Sequence, residues 1–542
     1  MKKVKIRRSP GSVALAAGLA TSALVAIVAG TGSAGQLVSD TSAASVPGGS
    51  APIKHVIEIM MENHTFDNLF GHFPGANGIP SGTKLPNPSS NYVDPAVAPI
   101  AAPANVGDTV DLNHNRSAEI MDMNYRPGLL AGGTGYFTGF TESNSFAPGT
   151  AGWKMDYYTV NPENSLASIT TFSRSVIPNE WALASRYALA DRNFQPAIGP
   201  TQPNRIYAVA SSTAGWVSDS PPPKTLPLST IFDQLESKNL SWKIYQGDYQ
   251  APPPAAEGAG FVTHWNPAWY TPVLKDKQLW SNVANTSAFA QDLANGNLPN
   301  FSFIVPTWLY SEHPPTDIQL GDAWLGQLVS EVMKSKYWSS TAIFITYDEG
   351  GGYWDHVSPP LAMRFGYGTR TPMVIVSPWV RPGIISRTTT NISILSFMQA
   401  LWKMPPLNAL NAKQYNLVSS FDFHQRPAPP LSLPDVPVYT LELSGQGQSF
   451  SALPGQPFAV TMEAKSVGLV DAASLSGPVS ISVVPPAGVV EPAVQPVDLV
   501  DGSASFSLTF PAAGYYRVLL NGPSGSVGWA TFDVAVNDQS AP

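Results

Sequence analysis

The 542-residue chain contains no cysteine. That absence excludes disulfide scaffolds, thiolate-ligated zinc, iron–sulfur clusters and thiol nucleophiles. Charge is scarce as well: Asp, Glu, Lys and Arg make up 13% of the residues, about half the ~25% usual in soluble domains. What charge there is leans acidic, with 38 Asp and Glu against 30 Lys and Arg and a net of −8. An acidic chain repels phosphate backbones and gains nothing from counterion release, so no nucleic-acid partner is expected. Beyond residue 30 no apolar run is long enough to span a bilayer. No Gly-x-Ser-x-Gly elbow occurs, which argues against an α/β-hydrolase type of serine esterase.

Proline and glycine are plentiful, at 52 and 44 residues, and predict long, turn-rich loops. Lys2, Lys3, Lys5, Arg7 and Arg8 precede an apolar stretch over 12–30 and then Gly32-Ser33-Ala34. This is the order of an export signal, so residues 1–34 read as a signal peptide and the product as secreted. The stretch is long for a signal, and an uncleaved N-terminal membrane anchor is the alternative. Residues 35–52 read as a flexible leader. Between 53 and 425, short apolar runs alternate with amphipathic segments, predicting an α/β domain on a mainly parallel sheet. The clearest strands are 55–61, 301–305, 341–347 and 372–376, and the clearest helices 229–238, 321–334 and 393–402. The proline-rich segment 426–437 predicts a stiff linker. Alternating runs across 438–542 predict an antiparallel, immunoglobulin-like β-sandwich without a histidine, a stabilising or surface-attachment module.

Two acidic pairs are placed where chemistry is expected. Glu62-Asn63 directly follows the strand 55–61, and Asp348-Glu349 directly follows 341–347. In open parallel sheets ligands bind beyond the carboxyl ends of strands, so the two pairs converge there despite their separation in sequence. Carboxylates packed together repel unless a cation neutralises them. Oxygen donors without thiolate select a hard or borderline divalent ion; solvated loop acids are the bland alternative. Histidines stand on loops in Asp111-Leu112-Asn113-His114, in Ser311-Glu312-His313-Pro314-Pro315 and in Asp355-His356. His55, His72, His264 and His424 read as structural.

The nucleophile must be oxygen or nitrogen, and Thr201 in Gly199-Pro200-Thr201-Gln202-Pro203-Asn204-Arg205 is the better candidate. Pro203 suits a first helical turn, which places Thr201 at a helix N-terminus. There the dipole and free N–H groups favour an anionic oxygen and a bound phosphate, although a simple helix cap needs the same residue type.

Glu62-Asn63-His64-Thr65-Phe66-Asp67, the Gly-Pro-Thr-x-Pro-Asn-Arg stretch at 199–205, Glu312-His313-Pro314-Pro315 and Asp348-Glu349-Gly350-Gly351 with Asp355-His356 occur in that order. The set resembles the bacterial phosphoesterase family that contains phosphatidylcholine-type phospholipases C and a group of acid phosphatases. The resemblance implies an alkaline-phosphatase-like, three-layer α/β fold. It implies a divalent metal ion held by Glu62, Asn63, Asp348 and Glu349, with Thr201 as nucleophile and His114, His313 and His356 around the phosphate. The reaction implied is hydrolysis of a phosphate ester, phospholipid diester or phosphomonoester, through a phosphothreonine. Two departures are visible: Thr390-Asn391-Ile392-Ser393 stands where the family commonly has Asp-His-Thr-Ser, and His64 where arginine is usual. The histidine missing at Asn391 prompts a second reading, a non-catalytic exported binding protein on the same scaffold. The aromatic loop Trp265-Asn266-Pro267-Ala268-Trp269-Tyr270 fits either a membrane-surface contact or internal packing; cell-wall contact is the other surface role considered.

Overall fold

The computed structural model describes residues 51–86, 97–102, 109–123, 155, 157–159, 164–250, 262–360, 366–433, 439–443, 449–466, 475–486, 488–490, 492, 494–495, 497–522 and 529–537. The signal peptide 1–34, the leader up to residue 50 and the end of the linker, 434–437, lie outside the described residues. No helix among the described residues is long and apolar enough to cross a membrane.

Eight strands form the central sheet: β1 His55–Met61, β2 Ala188–Ala190, β3 Trp242–Gln246, β4 Val283–Asn285, β5 Phe301–Val305, β6 Thr341–Tyr347, β7 Met373–Val376 and β8 Gly383–Ile385. Their order is β8-β2-β7-β6-β1-β5-β3-β4. All run parallel except β7, which is antiparallel to both neighbours. Every residue of β5 and β6 is buried, as expected where both faces of a parallel sheet are covered. The helices that matter below are α1 Phe66–Phe70, α2 Arg116–Asp122, α3 Pro178–Arg186, α4 Thr201–Ala210, α5 Ile231–Ser237, α6 Ser287–Asn295, α7 Ile318–Lys334 and α8 Ile392–Trp402. One apolar core holds the strands and the inner faces of these helices together except for α2, whose Ile120 packs in a smaller cluster with Met123, Tyr158 and Ile198. Helix α7 starts three residues before its expected position because Asp317 caps it, accepting from Gln319 N at 2.8 Å.

One residue of β1 breaks the apolar pattern. Glu58 lies in register between Phe303 of β5 and Phe344 of β6, fully buried, and neither carboxyl oxygen has a partner among the described residues. Burial pushes its carboxyl well above the ordinary range, with the Arg205 charge pulling it partly back. Glu58→Met removes the orphaned oxygens at similar volume, and is expected to raise stability at pH 7 by about 1–3 kcal/mol. A group whose folded pKa is raised contributes stability below its unfolded value, here 4.5, and loses it as pH rises. The gain from Glu58→Met therefore shrinks in denaturant titrations run near pH 4.5; an unchanged or lower midpoint at pH 7 contradicts the account.

The C-terminal region has its own core. Strands Tyr439–Leu443, Pro457–Ser466 and Ser503–Thr509 form an antiparallel sheet. Strands Ser449–Ala452, Trp529–Val536, Gly514–Asn521, Gly477–Val484 and Val497–Leu499 form a second. Buried Val479 and Val483 alternate with exposed Ser480 and Ser482, the period-two pattern of a half-buried strand. The pairing is not wholly antiparallel: Ser449–Ala452 lies parallel to Trp529–Val536. The segment expected to be a stiff spacer is anchored at its start. Ala428 N donates to Pro378 O at 2.9 Å, Trp338 Nε1 donates to Ala428 O at 3.0 Å, and Leu433 is buried in the larger core.

Candidate active site

Strand register brings the two acidic pairs together. Met61 of β1 pairs with Tyr347 of β6, so Glu62 and Asp348 emerge side by side at the carboxyl end of the sheet. Asn63 then turns with a left-handed backbone, φ 63°, and its N–H donates to Asp348 Oδ1 at 3.2 Å. Gly351 packs against that turn so closely that a Cβ would stand 2.2 Å from Asn63 O; only glycine fits there. Asp348 Oδ1 also accepts from Glu349 N at 2.8 Å.

Thr201 opens α4 as expected, and its hydroxyl donates to Glu62 Oε2 at 3.3 Å. The free N–H groups expected at that helix end are not all free. Gln202 N donates to Asp219 Oδ1 at 2.7 Å. One turn beyond Thr201, the fully buried Arg205 guanidinium pairs with Glu62 Oε1 and reaches Asp348 Oδ2 at 3.3 Å. Arg205 is therefore the built-in counter-charge, a role not read from the sequence. Its signal was the four-residue spacing from Thr201, which puts both side chains on one helix face.

One guanidinium stands among the carboxyls of Glu62, Asp348 and Glu349; fully ionised, the three would exceed its charge by about two, which a divalent ion would cancel. Burial drives the Glu62 and Glu349 carboxyls well above their usual range. Arg205 opposes the shift at Glu62, whereas Glu119, Asp348 and Glu62 reinforce it at Glu349.

The Asn63 side chain shows where such an ion fits. Its amide oxygen faces Glu62 Oε2 at 3.1 Å and Glu349 Oε1 at 2.9 Å. Its amide nitrogen faces His313 Nε2 at 3.0 Å and His114 Nε2 at 3.4 Å. Both histidines commit Nδ1–H to a backbone carbonyl, Leu112 O at 2.7 Å for His114 and Pro314 O at 2.5 Å for His313. In a neutral imidazole the other nitrogen is then an acceptor. Rotating the amide instead requires His313 Nε2 to donate, which only an imidazolium with both ring nitrogens protonated can do. Burial, with His114 nearby, holds His313 down at about 4. With its oxygen toward the two carboxyls, the amide completes an oxygen-lined corner that a cation would fit. These donors fit the expected metal through Glu62, Asn63 and Glu349; Asp348 braces the turn and binds Arg205.

His114 and His313 stand together, ring centres 5.8 Å apart, with Asp111 close enough to form an acid–histidine cluster with them. His313 also packs in a tilted contact against Trp308, ring centres 4.5 Å apart. An open cavity of about 570 Å³ is walled by 111–116, Pro200 and 217–220, so it reaches His114, Asp219 and the residue before Thr201.

His356 is not brought into this group. Its Nδ1 donates to Asp67 Oδ2 at 2.6 Å, and Asp67 and Asp355 both accept from the buried Arg370, at 2.9 and 2.8 Å. Among the described residues Asp67, Asp355 and His356 could also gather a metal ion, but Arg370 already supplies the positive charge. Asn391 starts α8 without capping it and ties it to the site strand: Thr346 Oγ1 donates to Asn391 Oδ1 at 3.0 Å, and Asn391 Nδ2 donates to Tyr347 O at 3.1 Å. His64 is fully buried and bonds Glu312 O through Nε2 at 2.9 Å. Trp265 and Trp269 are buried in the core, which makes their loop internal packing rather than a membrane contact.

Comparison with known proteins follows the same residues. The model of the phosphoesterase family matches 53–405, more than half of the chain. Non-specific phospholipase C4 of Arabidopsis thaliana is 26% identical over 364 residues, covering 62% of this chain and 64% of that protein. Non-hemolytic phospholipase C of Burkholderia pseudomallei is 26% identical over 482 residues, covering 77% and 65%. Phospholipase C A of Mycobacterium tuberculosis is 26% identical over 418 residues, covering 67% and 75%. The chain thus spans just under two thirds of the length of the first two. A solved protein of the alkaline phosphatase superfamily from Vibrio parahaemolyticus is 13% identical, with a TM-score of 0.31 over 54% of this chain and 72% of its own. The family match takes in Glu62, Thr201, His313 and Asp348 together, and on it the chain belongs to the phosphoesterase family.

Proposed function

We propose that the chain is an exported, metal-dependent hydrolase of phosphate esters that works through a phosphothreonine. In this reading the domain 53–425 has the three-layer, alkaline-phosphatase-like arrangement. The immunoglobulin-like sandwich is a stabilising or surface-attachment module. The observation that carries the reading is the convergence of Glu62, Asn63 and Glu349 beside the Thr201 hydroxyl.

A divalent cation held by Glu62, Asn63 and Glu349 would supply Lewis acidity to phosphoryl transfer, with Asp348 bracing the Asn63 turn and binding Arg205. Glu62 Oε2 orients the Thr201 hydroxyl for in-line attack on phosphorus. The Thr201 O–P bond forms as the ester P–O bond breaks, and the proton lost from the hydroxyl balances the one gained by the departing alcohol. His114 is partly exposed, with its Nδ1–H pinned to Leu112 O. It exchanges that proton at Nε2, a contribution of about 10²–10⁴-fold. His313 supports Asn63, and His356, held by Asp67, takes no part. Water then cleaves the phosphothreonine. Phospholipid diesters and phosphomonoesters both suit this chemistry, as the phospholipase C relatives suggest.

Hydrolysis of para-nitrophenyl phosphate and of its phosphorylcholine ester, before and after exhaustive chelation, tests the reading. Wild-type protein is expected to turn over at least one ester, to lose that activity on chelation and to regain it with a divalent salt. Undiminished turnover after metal analysis reads zero overturns the metal; no turnover of any phosphoester favours the binding-protein reading.

A further inference from the structure

Gln202 follows Thr201 in the first turn of α4 and is 1% exposed. Neither Nε2 nor Oε1 of its carboxamide has a hydrogen-bond partner among the described residues. A buried amide left wholly unpaired is unfavourable and calls for an explanation. The helix cannot offer an incoming anion the Gln202 N–H, because Asp219 holds it at 2.7 Å. The side-chain amide is a further N–H donor in the same helical turn. Asp219, which accepts from the Gln202 N–H, and Pro200, two residues before Gln202 in the chain, both line the cavity that reaches His114. The Thr201 hydroxyl lies one residue away, bonded to Glu62.

We infer that Gln202 determines substrate class at the proposed phosphoester site, pairing with a phosphomonoester through both ends of its carboxamide. Nε2–H donates to a non-bridging phosphoryl oxygen, and Oε1 accepts from the P–OH of the monoanion. Oxygen acceptor and hydroxyl donor on one phosphorus match the two orphaned atoms of one planar amide. A phosphodiester has no P–OH, so in its complex Oε1 remains unpaired or meets the second ester oxygen, another acceptor. The inference rests on the proposed phosphoester site and selects, between its two substrate classes, the monoester.

The test compares wild type with Gln202→Met, similar in size and without the amide, on para-nitrophenyl phosphate and on the phosphorylcholine diester. Inorganic phosphate serves as the binding probe, at a pH where it is monoanionic. Wild type is expected to favour the monoester. Gln202→Met is expected to lose about 10- to 100-fold in kcat/KM for the monoester, with a parallel rise in the inhibition constant of phosphate. Diester turnover is expected to change by less than about 3-fold, and Tm to hold or rise. Equal losses on both esters, a wild type that favours the diester, or monoester kinetics and phosphate inhibition unchanged within about 2-fold overturn the inference. A wild type silent on both esters defeats the broader reading instead. In that event thermal stabilisation by phosphate still decides the contact: it supports Gln202 if the Met variant has lost it, and overturns it if both proteins respond alike.

Discussion

Thr201→Ala is expected to lower kcat/KM by at least about 10³-fold on whichever ester the wild type hydrolyses best. The hydroxyl is 2% exposed, opens α4 and donates to Glu62 at 3.3 Å. Removing it deletes the oxygen that attacks phosphorus in the proposed mechanism while leaving the helix, Arg205 and the carboxylates in position. Thr201→Ser keeps the oxygen and is expected to retain most of the rate, which separates loss of the nucleophile from loss of packing. The same pair predicts the chemistry of trapping: acid quench during turnover leaves label on wild type and the Ser variant, and none on Ala. An Ala variant with more than about a tenth of wild-type kcat/KM assigns the attack to another group.

Arg205→Met is expected to be the most damaging single change to the fold near the site. Its guanidinium is fully buried, pairs with Glu62 and Asp348, and also donates to Trp265 O at 3.1 Å and Met60 O at 3.3 Å. Removing one partner of a buried ion pair strands the other, at a cost of about 3–5 kcal/mol. Chemical denaturation at pH 7 is the measurement. A saturating divalent salt is expected to recover part of the loss, because the cation takes over neutralisation of Glu62. A loss under about 1 kcal/mol means that the carboxylates do not depend on Arg205.

The parts of this molecule that were legible in the sequence are those where one physical rule dominates. Strands β1, β5 and β6 are nearly unbroken apolar runs, and no other element type suits their length and burial. The rule for strand ends was enough to bring Glu62 beside Asp348, because the register of two adjacent parallel strands leaves them nowhere else to go. The apolar run also concealed Glu58, whose burial is a property of its neighbours Phe303 and Phe344 rather than of β1 itself. Arg205 sits in a motif that by itself gives it no role, since its partners Glu62 and Asp348 follow β1 and β6, far away in sequence. His356 shows the limit of local proximity: seven residues from Glu349, it turns away to Asp67 and Arg370 because a three-glycine turn intervenes. The parallel strand pair in the C-terminal region was invisible for a similar reason, as alternation reports which face is buried and not which way a neighbour runs.

Asn63 is the residue on which the metal assignment turns, and its amide orientation can be observed directly. A crystal structure of the protein grown with manganese, recorded at a wavelength where that metal scatters anomalously, gives both facts at once. The account predicts an anomalous peak within bonding reach of Glu62, Asn63 and Glu349, with the Asn63 amide nitrogen turned to His114 and His313. An empty anomalous map, with that nitrogen donating to the two glutamates instead, contradicts it.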